Sequence, residues 1–437
     1  MIILQAGPFP RAGFFVCIRP PLRRDHGAKP ACRTSHAKTI PTSTEAAHRQ
    51  QAAWRIWLAA NGLLGPGGGP VDALRTIREL GFLQIDTVRN IVRAHDHILW
   101  SRNNRYREDG VWQLLRRRDL FEHFTHDASL LPMEIYPMWQ RQFERLGRRT
   151  ANATWYQSGL TQGDIRKIRD RIEVEGPLST HAFESLPRSG EMWARPPHKK
   201  ALEQMWYAGD LATSHRENFV KFYDLGERVF PTLTEGRASL QDQADHLCDA
   251  AMTRLRVANG SEIRRFWDTV TPAEVSDWVA GAGLLPVSVE DAEGRWHDTW
   301  AVPDIERWLE DPGATTRMRI INPFDPAIRD RQRLRRLFGF EYRNEMFVPR
   351  AQRRWGYYVY PLLEADRFVG RIELKGDRGE GRMRVTGFWS ERGIKWTNNR
   401  TGRLHAELRR FARLAGLTVE SSSLRAANEN YRQAGSP

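Results

Sequence analysis

Two polar side chains, Gln84 and Asp86, lie one residue apart in the stretch GFLQIDTVRN, next to the apolar residues Leu83 and Ile85. If this stretch is extended, Gln84 and Asp86 share one face of a strand, and the two apolar side chains point from the other face into the core. A carboxylate beside an amide can hold a water molecule, because the carboxylate accepts a proton of the water and the amide orients it. This pair of side chains is therefore able to support a hydrolysis.

Asp86 also has a purely structural interpretation. Asp is a preferred N-cap residue, and the run TVRNIVRAH that follows Asp86 could be a helix capped by this side chain. Taken alone, the local pattern favours the N-cap. The catalytic interpretation therefore depends on what the rest of the chain indicates.

The charge of the chain indicates a polyanionic partner. Its 437 residues include 67 Lys and Arg against 53 Asp and Glu, a net charge of +14. The densest positive segment runs from Arg329 to Arg354, where nine arginines accompany only three acids. Arg331, Arg333, Arg353 and Arg354 are candidate phosphate contacts within it. A solvated helix face followed by a linker would have the same composition.

The order of predicted elements is that of an α+β protein with repeated units. Three helices followed by a β-hairpin, the pattern of a winged helix-turn-helix, are predicted for residues 151–235 and again for residues 236–312. By the same logic residues 45–150 form a first unit, which contains the Gln-x-Asp motif. Alternating aromatic and β-branched residues predict a β-rich C-terminal domain at residues 313–437, with a three-strand meander and a terminal helix. For residues 1–44 we expect disorder or a start codon assigned too early.

The apolar runs and the cysteines indicate a protein of the reducing cytoplasm. No apolar run approaches the ~18 residues that a membrane span needs. Cys17, Cys32 and Cys248 are odd in number and far apart, without the CxxC pairs of a zinc ribbon and without the pattern of a disulfide framework. We therefore predict neither membrane insertion nor structural disulfides.

Two clusters contain residue types that bind metals. One is HDH at residues 95–97, and the other consists of His123, His126 and Asp127. Neither brings a third clear ligand at a known spacing, so we expect core or DNA-facing histidines and no metal site. Whether His126 and Asp127 orient a group near the DNA stays open.

Three long stretches carry a family resemblance: LGFLQIDTVRNIVRAHDHILWSR, KKALEQMWYAGDLATSHRENFVKFYDLGERVFP, and INPFDPAIRDRQRLRRLFGFEYRNEMFVPRAQRRWGYYVYPLLEADRFVGRIELKGDR. Together the chain from about residue 46 to 420 resembles the winged-helix DNA glycosylase family, which includes bacterial interstrand-crosslink repair glycosylases of the YcaQ type. The catalytic signature of that family is Gln, an apolar residue, and then Gln or Asp. It stands here as Gln84-Ile85-Asp86, so the resemblance implies that Asp86 is the principal catalytic residue and Gln84 its partner.

The resemblance also implies an architecture and a substrate. Three winged-helix units surround a concave DNA channel, which the β-rich C-terminal domain closes. The Asp form of the signature resembles the broader branch of the family, which unhooks interstrand crosslinks and removes N7-alkylated purines. The expected partner is double-stranded DNA with such lesions, bound by a monomer in the bacterial cytoplasm at the nucleoid.

The implied chemistry suits a single carboxylate. An N7-alkylated purine already carries a positive charge and departs as a neutral base, so it needs no acid to protonate it. What remains is to stabilise the oxocarbenium at C1′ and to deliver water, which Asp86 and Gln84 can do without a metal or a cofactor. A crosslinked base cannot swing freely out of the duplex, so an open channel suits it better than a deep pocket.

The alternative to a glycosylase is a non-catalytic winged-helix regulator of transcription that binds DNA.

Further candidate DNA contacts lie outside the arginine-rich segment. Arg89 and Arg93 follow the motif and could hold phosphates near the reacting sugar, although a solvated helical stripe would look the same. Lys199 and Lys200 open a possible recognition helix in the second unit. Trp396 is the candidate for stacking on bases.

Overall fold

The computed structural model describes residues 53–183, 196–231, 238–308 and 316–420. Within these ranges it is a mixed α+β structure, as the sequence predicts. No helix in them is both long enough and apolar enough to cross a membrane. The predictions for residues 1–44, for Cys17 and Cys32, and for the start of the first helix lie outside the described residues.

The Gln-x-Asp motif belongs to the first of three similar groups of elements. A helix over residues 53–60 (α1) precedes them. The elements are α2 Ala73–Leu80, β1 Leu83–Gln84, α3 Ala94–Arg102, α4 Trp112–Arg116, β2 Leu120–Phe124, β3 Ala128–Pro132 and α5 Gln140–Asn152. The side chain of Asp72 caps α2, and Gly81, at φ 89°, ends it as predicted. The short β1 pairs antiparallel with β3, which pairs with β2.

The second and third groups repeat this order of helix, two-residue strand, helix and hairpin. The second group comprises α6 Gln162–Glu175, β4 Leu178–Ser179, α7 Pro197–Ala208, β5 Leu211–Glu217, β6 Val220–Leu225 and α8 Gly226–Val229. The third comprises α9 Leu240–Leu255, β7 Val257–Ala258, α10 Gly260–Trp267, α11 Pro272–Gly281, β8 Leu285–Glu290 and β9 Trp296–Ala301. In each, the short strand pairs with the second strand of the hairpin. In the described part after Gly176, a strand and a 3-10 turn at Thr180–Ala182 replace the predicted helix.

The C-terminal part contains a five-stranded sheet in the order β10-β11-β12-β13-β14. Its elements are β10 Met318–Ile320, α12 Pro326–Arg329, α13 Arg331–Phe338, β11 Val359–Glu364, β12 Arg367–Asp377, β13 Arg382–Ser390, α14 Asn398–Leu414 and β14 Thr418–Val419. The predicted meander and terminal helix are present. The edge strands β10 and β14 are additions that the sequence pattern did not predict.

The motif is held between its own sheet and the C-terminal sheet. Leu83 and Ile85 are buried in one apolar cluster with Ile372 of β12 and Phe411 of α14. Just after the motif, the side-chain amide of Asn90 donates to the carbonyl of Leu374, at 2.9 Å. The first group of elements and the C-terminal part therefore share a core, and this shared core fixes the position of the motif.

An ionic cluster joins the hairpins of the first two groups. Glu122 of β2 is buried and accepts hydrogen bonds from Arg216 of β5, at 2.7 Å from each of its two oxygens. The ammonium of Lys221 in β6 lies 2.9 Å from the same carboxylate. Although burial opposes ionisation, these two cations hold the pKa of Glu122 at about 2. The cluster fixes the second hairpin against the first.

Candidate active site

Asp86 follows the end of β1 and does not cap a helix. Its Oδ1 accepts the backbone N–H of Val88 at 2.6 Å, which closes a local turn. The helix α3 begins only at Ala94, with Arg93 as its N-cap. The N-cap interpretation of Asp86 is therefore wrong, because the residues between Asp86 and α3 form turns and bends rather than a helix.

The Asp86 carboxylate has one oxygen that the fold does not use. The side chain is half-buried, and no described residue donates a hydrogen bond to Oδ2. No Lys, Arg or His among the described residues forms an ion pair with it. Burial raises the pKa of Asp86, and the Val88 N–H opposes this rise only in part. The ionised carboxylate is thus desolvated without a cation to compensate it.

Gln84 is fixed by hydrogen bonds at both ends of its amide. The side chain is 3% exposed, and its Nε2 donates to Oδ2 of Asp127 at 3.0 Å. Nε2 of His126 lies 3.0 Å from the amide oxygen of Gln84, so this imidazole nitrogen must carry the proton. Nδ1 of His126 is then free to accept from the hydroxyl of Thr125, at 3.1 Å. The amide keeps one N–H and one oxygen lone pair for a further partner.

The hairpin register brings these residues together. Gln84 pairs with Ser129, and the N–H of Ile85 donates to the carbonyl of Ala128 at 2.9 Å. Continued by two residues from Gln84 and Ser129, this register places Asp86 opposite Asp127 at the end of the sheet. Gln84 and Asp86 thus both lie beside Asp127, as expected for residues on one face.

Burial shifts the pKa values of Asp127 and His126 so that both side chains favour their neutral forms. Burial raises the pKa of Asp127, against the Ala128 N–H that it accepts, and the nearby Asp86 carboxylate adds to the rise. Burial also holds the pKa of His126 well below its usual range, with a smaller contribution from Arg329. His126 is therefore neutral at physiological pH and acts as a hydrogen-bonding group rather than a cation.

A cavity of about 300 Å³ opens beside Gln84, His126 and Asp127. Its opposite wall comes from the C-terminal part: Pro323, Phe324, Ile328, Arg329, Arg331, Tyr342 and Asn344. A second cavity, of about 490 Å³, lies next to it and shares His126, Arg329 and Arg331. Arg329 stands between the two cavities, where its guanidinium donates to the carbonyls of Phe266 and Arg265.

No group of three or more His, Cys, Asp or Glu side chains within residues 53–183, 196–231, 238–308 and 316–420 is arranged to hold a metal ion. Residues 95–97 lie in α3 and are buried. His97 contacts the carbonyl of Ile320 at 2.9 Å, and Nδ1 of His123 accepts the indole N–H of Trp139 at 2.9 Å. These histidines are core residues, whereas His126 belongs to the candidate site.

Comparison with known proteins identifies the family. Residues 77–414 match the model of the AlkZ-like DNA glycosylases. The chain belongs to the AlkZ-like DNA glycosylase family. Its structure is also similar to that of the Streptomyces sahachiroi DNA glycosylase AlkZ, with a TM-score of 0.57 and 16% sequence identity over 85% of this chain and 98% of that chain. At this identity the structural match establishes the fold alone. Membership of the AlkZ-like family supports a DNA glycosylase function and implies a DNA substrate.

Within this AlkZ-like chain, the arginines predicted to contact DNA fall into different environments. Arg331 is exposed and lines both cavities. Arg333 is 2% exposed, and its guanidinium donates to Glu262 and to the carbonyls of Val257 and Leu255. Arg333 is therefore a core residue that no phosphate can reach, and we leave it out of the proposed DNA surface.

The two remaining arginines of that segment lie in the loop before β11. Arg353 is half-buried, and its Nε donates to the carbonyl of Val348 at 2.8 Å. Arg354 is exposed, with its guanidinium 4.6 Å from the centre of the Trp355 ring. Arg354 presents its charge to solvent, whereas Arg353 does so only in part.

The other predicted contacts are mostly engaged within the protein. Arg89 is exposed but donates to Glu108 at 2.8 Å, and Arg93 is half-buried with its guanidinium over the Phe219 ring. Lys199 and Lys200 lie in the first turn of α7, half-buried, and Lys200 donates to a backbone carbonyl. Trp396 packs edge-to-face on Phe388 and donates its indole N–H to Thr401. None of these contacts joins one of the five side chains to Gln84, His126 or Asp127.

Proposed function

We propose that this protein is a monofunctional DNA glycosylase that hydrolyses the N-glycosidic bond of N7-alkylated purines and unhooks interstrand crosslinks. The observation that carries the proposal is a half-buried Asp86 carboxylate with a free oxygen, next to an amide, Gln84, that is fixed at both ends. Family membership supports glycosylase chemistry, and the site supplies the groups that this chemistry needs.

Asp86 is suited to stabilise a cation. A carboxylate that is desolvated and has no cationic partner gains much more from a nearby positive charge than a solvated one. As the glycosidic bond breaks, the sugar becomes an oxocarbenium, and the alkylated purine leaves with its own positive charge neutralised. Asp86 therefore interacts more strongly with the transition state than with the ground state, which is the condition for rate acceleration.

Gln84 is suited to hold the attacking water. Its remaining N–H and oxygen lone pair are available to bind a water molecule, while His126 and Asp127 prevent the amide from turning. Oδ2 of Asp86 accepts a proton of this water as it attacks C1′. His126 and Asp127 act through Gln84 and are positioning residues in this scheme.

The three groups of helix, short strand, helix and hairpin are, in this proposal, winged-helix units around a DNA channel. Each contains the three-stranded antiparallel sheet that this fold requires. The exposed Arg331 and Arg354 contribute to the phosphate-binding surface of the channel, and the protein acts as a monomer.

The test is base release from alkylated DNA. Purified protein is incubated with a duplex that contains N7-methylguanine, and free base is measured by chromatography together with alkali-labile abasic sites. We expect both products, with no strand cleavage until alkali is added, and unhooking of a nitrogen-mustard-type crosslink. Sequence-selective binding with no release of base would instead assign the protein to the winged-helix regulators.

A further inference from the structure

Phe347 is an exposed aromatic residue with no ring contact to any described residue. Its side chain is 86% exposed, in a loop that runs over residues 343–357 and that we call the aromatic-basic loop. Exposure of a large apolar side chain to water is unfavourable, and a partner that covers the side chain removes this cost. Its surroundings indicate what the partner is.

The start of the aromatic-basic loop meets the candidate active site. Asn344 of the loop and Tyr342, which immediately precedes the loop, line the cavity beside Gln84. The loop therefore projects from the rim of the site where the glycosidic bond would be cleaved.

The loop is internally held, so the position of Phe347 is defined. The carboxylate of Glu345 accepts backbone N–H groups of Arg354, Trp355 and Gly356, at 3.1, 2.7 and 3.2 Å. Met346, immediately before Phe347, is buried in the core that also contains the motif strand. The ring is thus presented from a short anchored tip rather than from a free segment.

The charge of the loop fits a nucleic acid. It contains four arginines, Arg343, Arg350, Arg353 and Arg354, and one acid, which is the Glu345 already used inside the loop. Three of these arginines are exposed, the exception being Arg353. A protruding apolar ring on a loop with exposed cations matches DNA, because phosphates neutralise the cations while the base stack receives the ring.

We propose that Phe347 inserts into the base stack of the duplex next to the nucleotide whose sugar reaches Asp86. This inference rests on the proposed glycosylase function, to which it adds a residue that distorts the duplex. Inserted side chains of this kind unstack a base step and bend the duplex. Such a distortion exposes C1′ of the damaged nucleotide to Asp86 without full extrusion of a base that a crosslink still tethers.

The test uses a duplex with 2-aminopurine beside N7-methylguanine, since 2-aminopurine fluoresces more strongly when it is unstacked. Wild type should raise the fluorescence on binding. Phe347→Ala should abolish the rise and slow single-turnover release of N7-methylguanine roughly 5- to 150-fold, the range of a lost base–aromatic stack. Phe347→Trp and Phe347→Leu should retain both signals, because wedges need apolar bulk. Val174→Ala, at an equally exposed apolar position of α6, is the matched control and should behave as wild type.

The outcomes separate this inference from the proposed function. Unchanged fluorescence and release in Phe347→Ala would overturn the wedge and leave the glycosylase intact. A fluorescence rise that depends on Phe347, without base release by wild type, would support the wedge and refute the glycosylase. Thermal unfolding of each variant is measured in parallel, and an exposed residue should leave the midpoint unchanged.

Discussion

Replacing Asp86 by Asn removes the charge on which the proposed mechanism depends and little else. Asn has nearly the same volume, and its Oδ1 can still accept the Val88 N–H. A unit charge ~4 Å from the sugar cation, at an effective dielectric constant of ~20, contributes about 4 kcal/mol. This corresponds to a rate loss of about 10³-fold, within the range of about 10²- to 10⁴-fold expected for a lost general base.

The same substitution should not destabilise the protein. Burial raises the pKa of Asp86 in the folded state above its unfolded value, so at neutral pH the folded protein carries the form that it disfavours. This cost is absent at low pH, where Asp86 is protonated, and grows as the pH rises through the folded pKa. The substituted amide is neutral at every pH. We therefore expect a melting temperature of Asp86→Asn at pH 7 that equals or exceeds that of wild type.

The assay is single-turnover release of N7-methylguanine with enzyme in excess, with DNA affinity and thermal unfolding measured on the same samples. Asp96→Asn is the matched control, since Asp96 in α3 is buried and this burial raises its pKa to about 7. It should share the effect on stability and keep full activity. Wild-type release by Asp86→Asn would refute the role of the charge. Loss of folded Asp86→Asn protein would instead make Asp86 a structural residue.

Three further outcomes follow from the electrostatics. The rate of base release should fall only towards acid pH, where Asp86 becomes protonated. Because burial raises the pKa of Asp86, this fall should occur at a pH above the ordinary pKa of Asp. A second inflection near pH 6.5 would contradict the neutral state of His126. Arg331→Ala should lower the slope of log affinity against log salt by ~1. Arg333→Ala should leave this slope unchanged. It should destabilise the fold by about 1–3 kcal/mol for each of the two backbone carbonyls, of Val257 and Leu255, that lose their buried donor, while Arg336 still pairs with Glu262. Equal salt slopes for Arg331→Ala and Arg333→Ala would mean that Arg331 does not contact phosphate. Glu122→Gln should also cost about 3–5 kcal/mol in urea unfolding at pH 7, since it leaves two buried cations without an anion. Because the folded pKa of Glu122 is depressed to about 2, wild type should lose this stability as the pH falls from about 4 to 2, and an acid transition identical in Glu122→Gln would disprove this source.

The elements of this fold were largely predictable, because their signals are local. Apolar periodicity and the caps around Asp72 and Gly81 define α2, and alternation defines the C-terminal meander. The domain cores were less predictable. Apolar residues of the first group are buried together with Ile372 and Phe411 of the C-terminal part, and the sequence pattern gives no information about which distant element covers a given face.

Arg331 and Arg333 illustrate the same limit at single-residue scale. Both are basic residues of one short helix, and only the structure separates the exposed side chain from the one bonded to Glu262. A signal was nevertheless present. Arg333 lies four residues before Leu337, which is buried, so it belongs to the apolar stripe of α13 and not to the solvent face.

Only the residues of the candidate site that lie close together in the sequence could be predicted. Gln84 and Asp86 are separated by a single residue in the sequence, but His126 and Asp127 reach them through the register of β1 on β3. That register follows from long-range pairing, which a single sequence does not encode in any local pattern.

The electrostatics of the candidate site explain why the surrounding apolar core must hold its residues in place. The fold shifts Asp86, Asp127 and His126 towards their neutral forms, so none of the three contributes charge stabilisation to the isolated protein. The apolar core around Leu83 and Ile85 must therefore hold these groups in place. The same shift means that the Asp86 carboxylate gains most when a positive charge comes close to it, and the oxocarbenium of the proposed mechanism is such a charge.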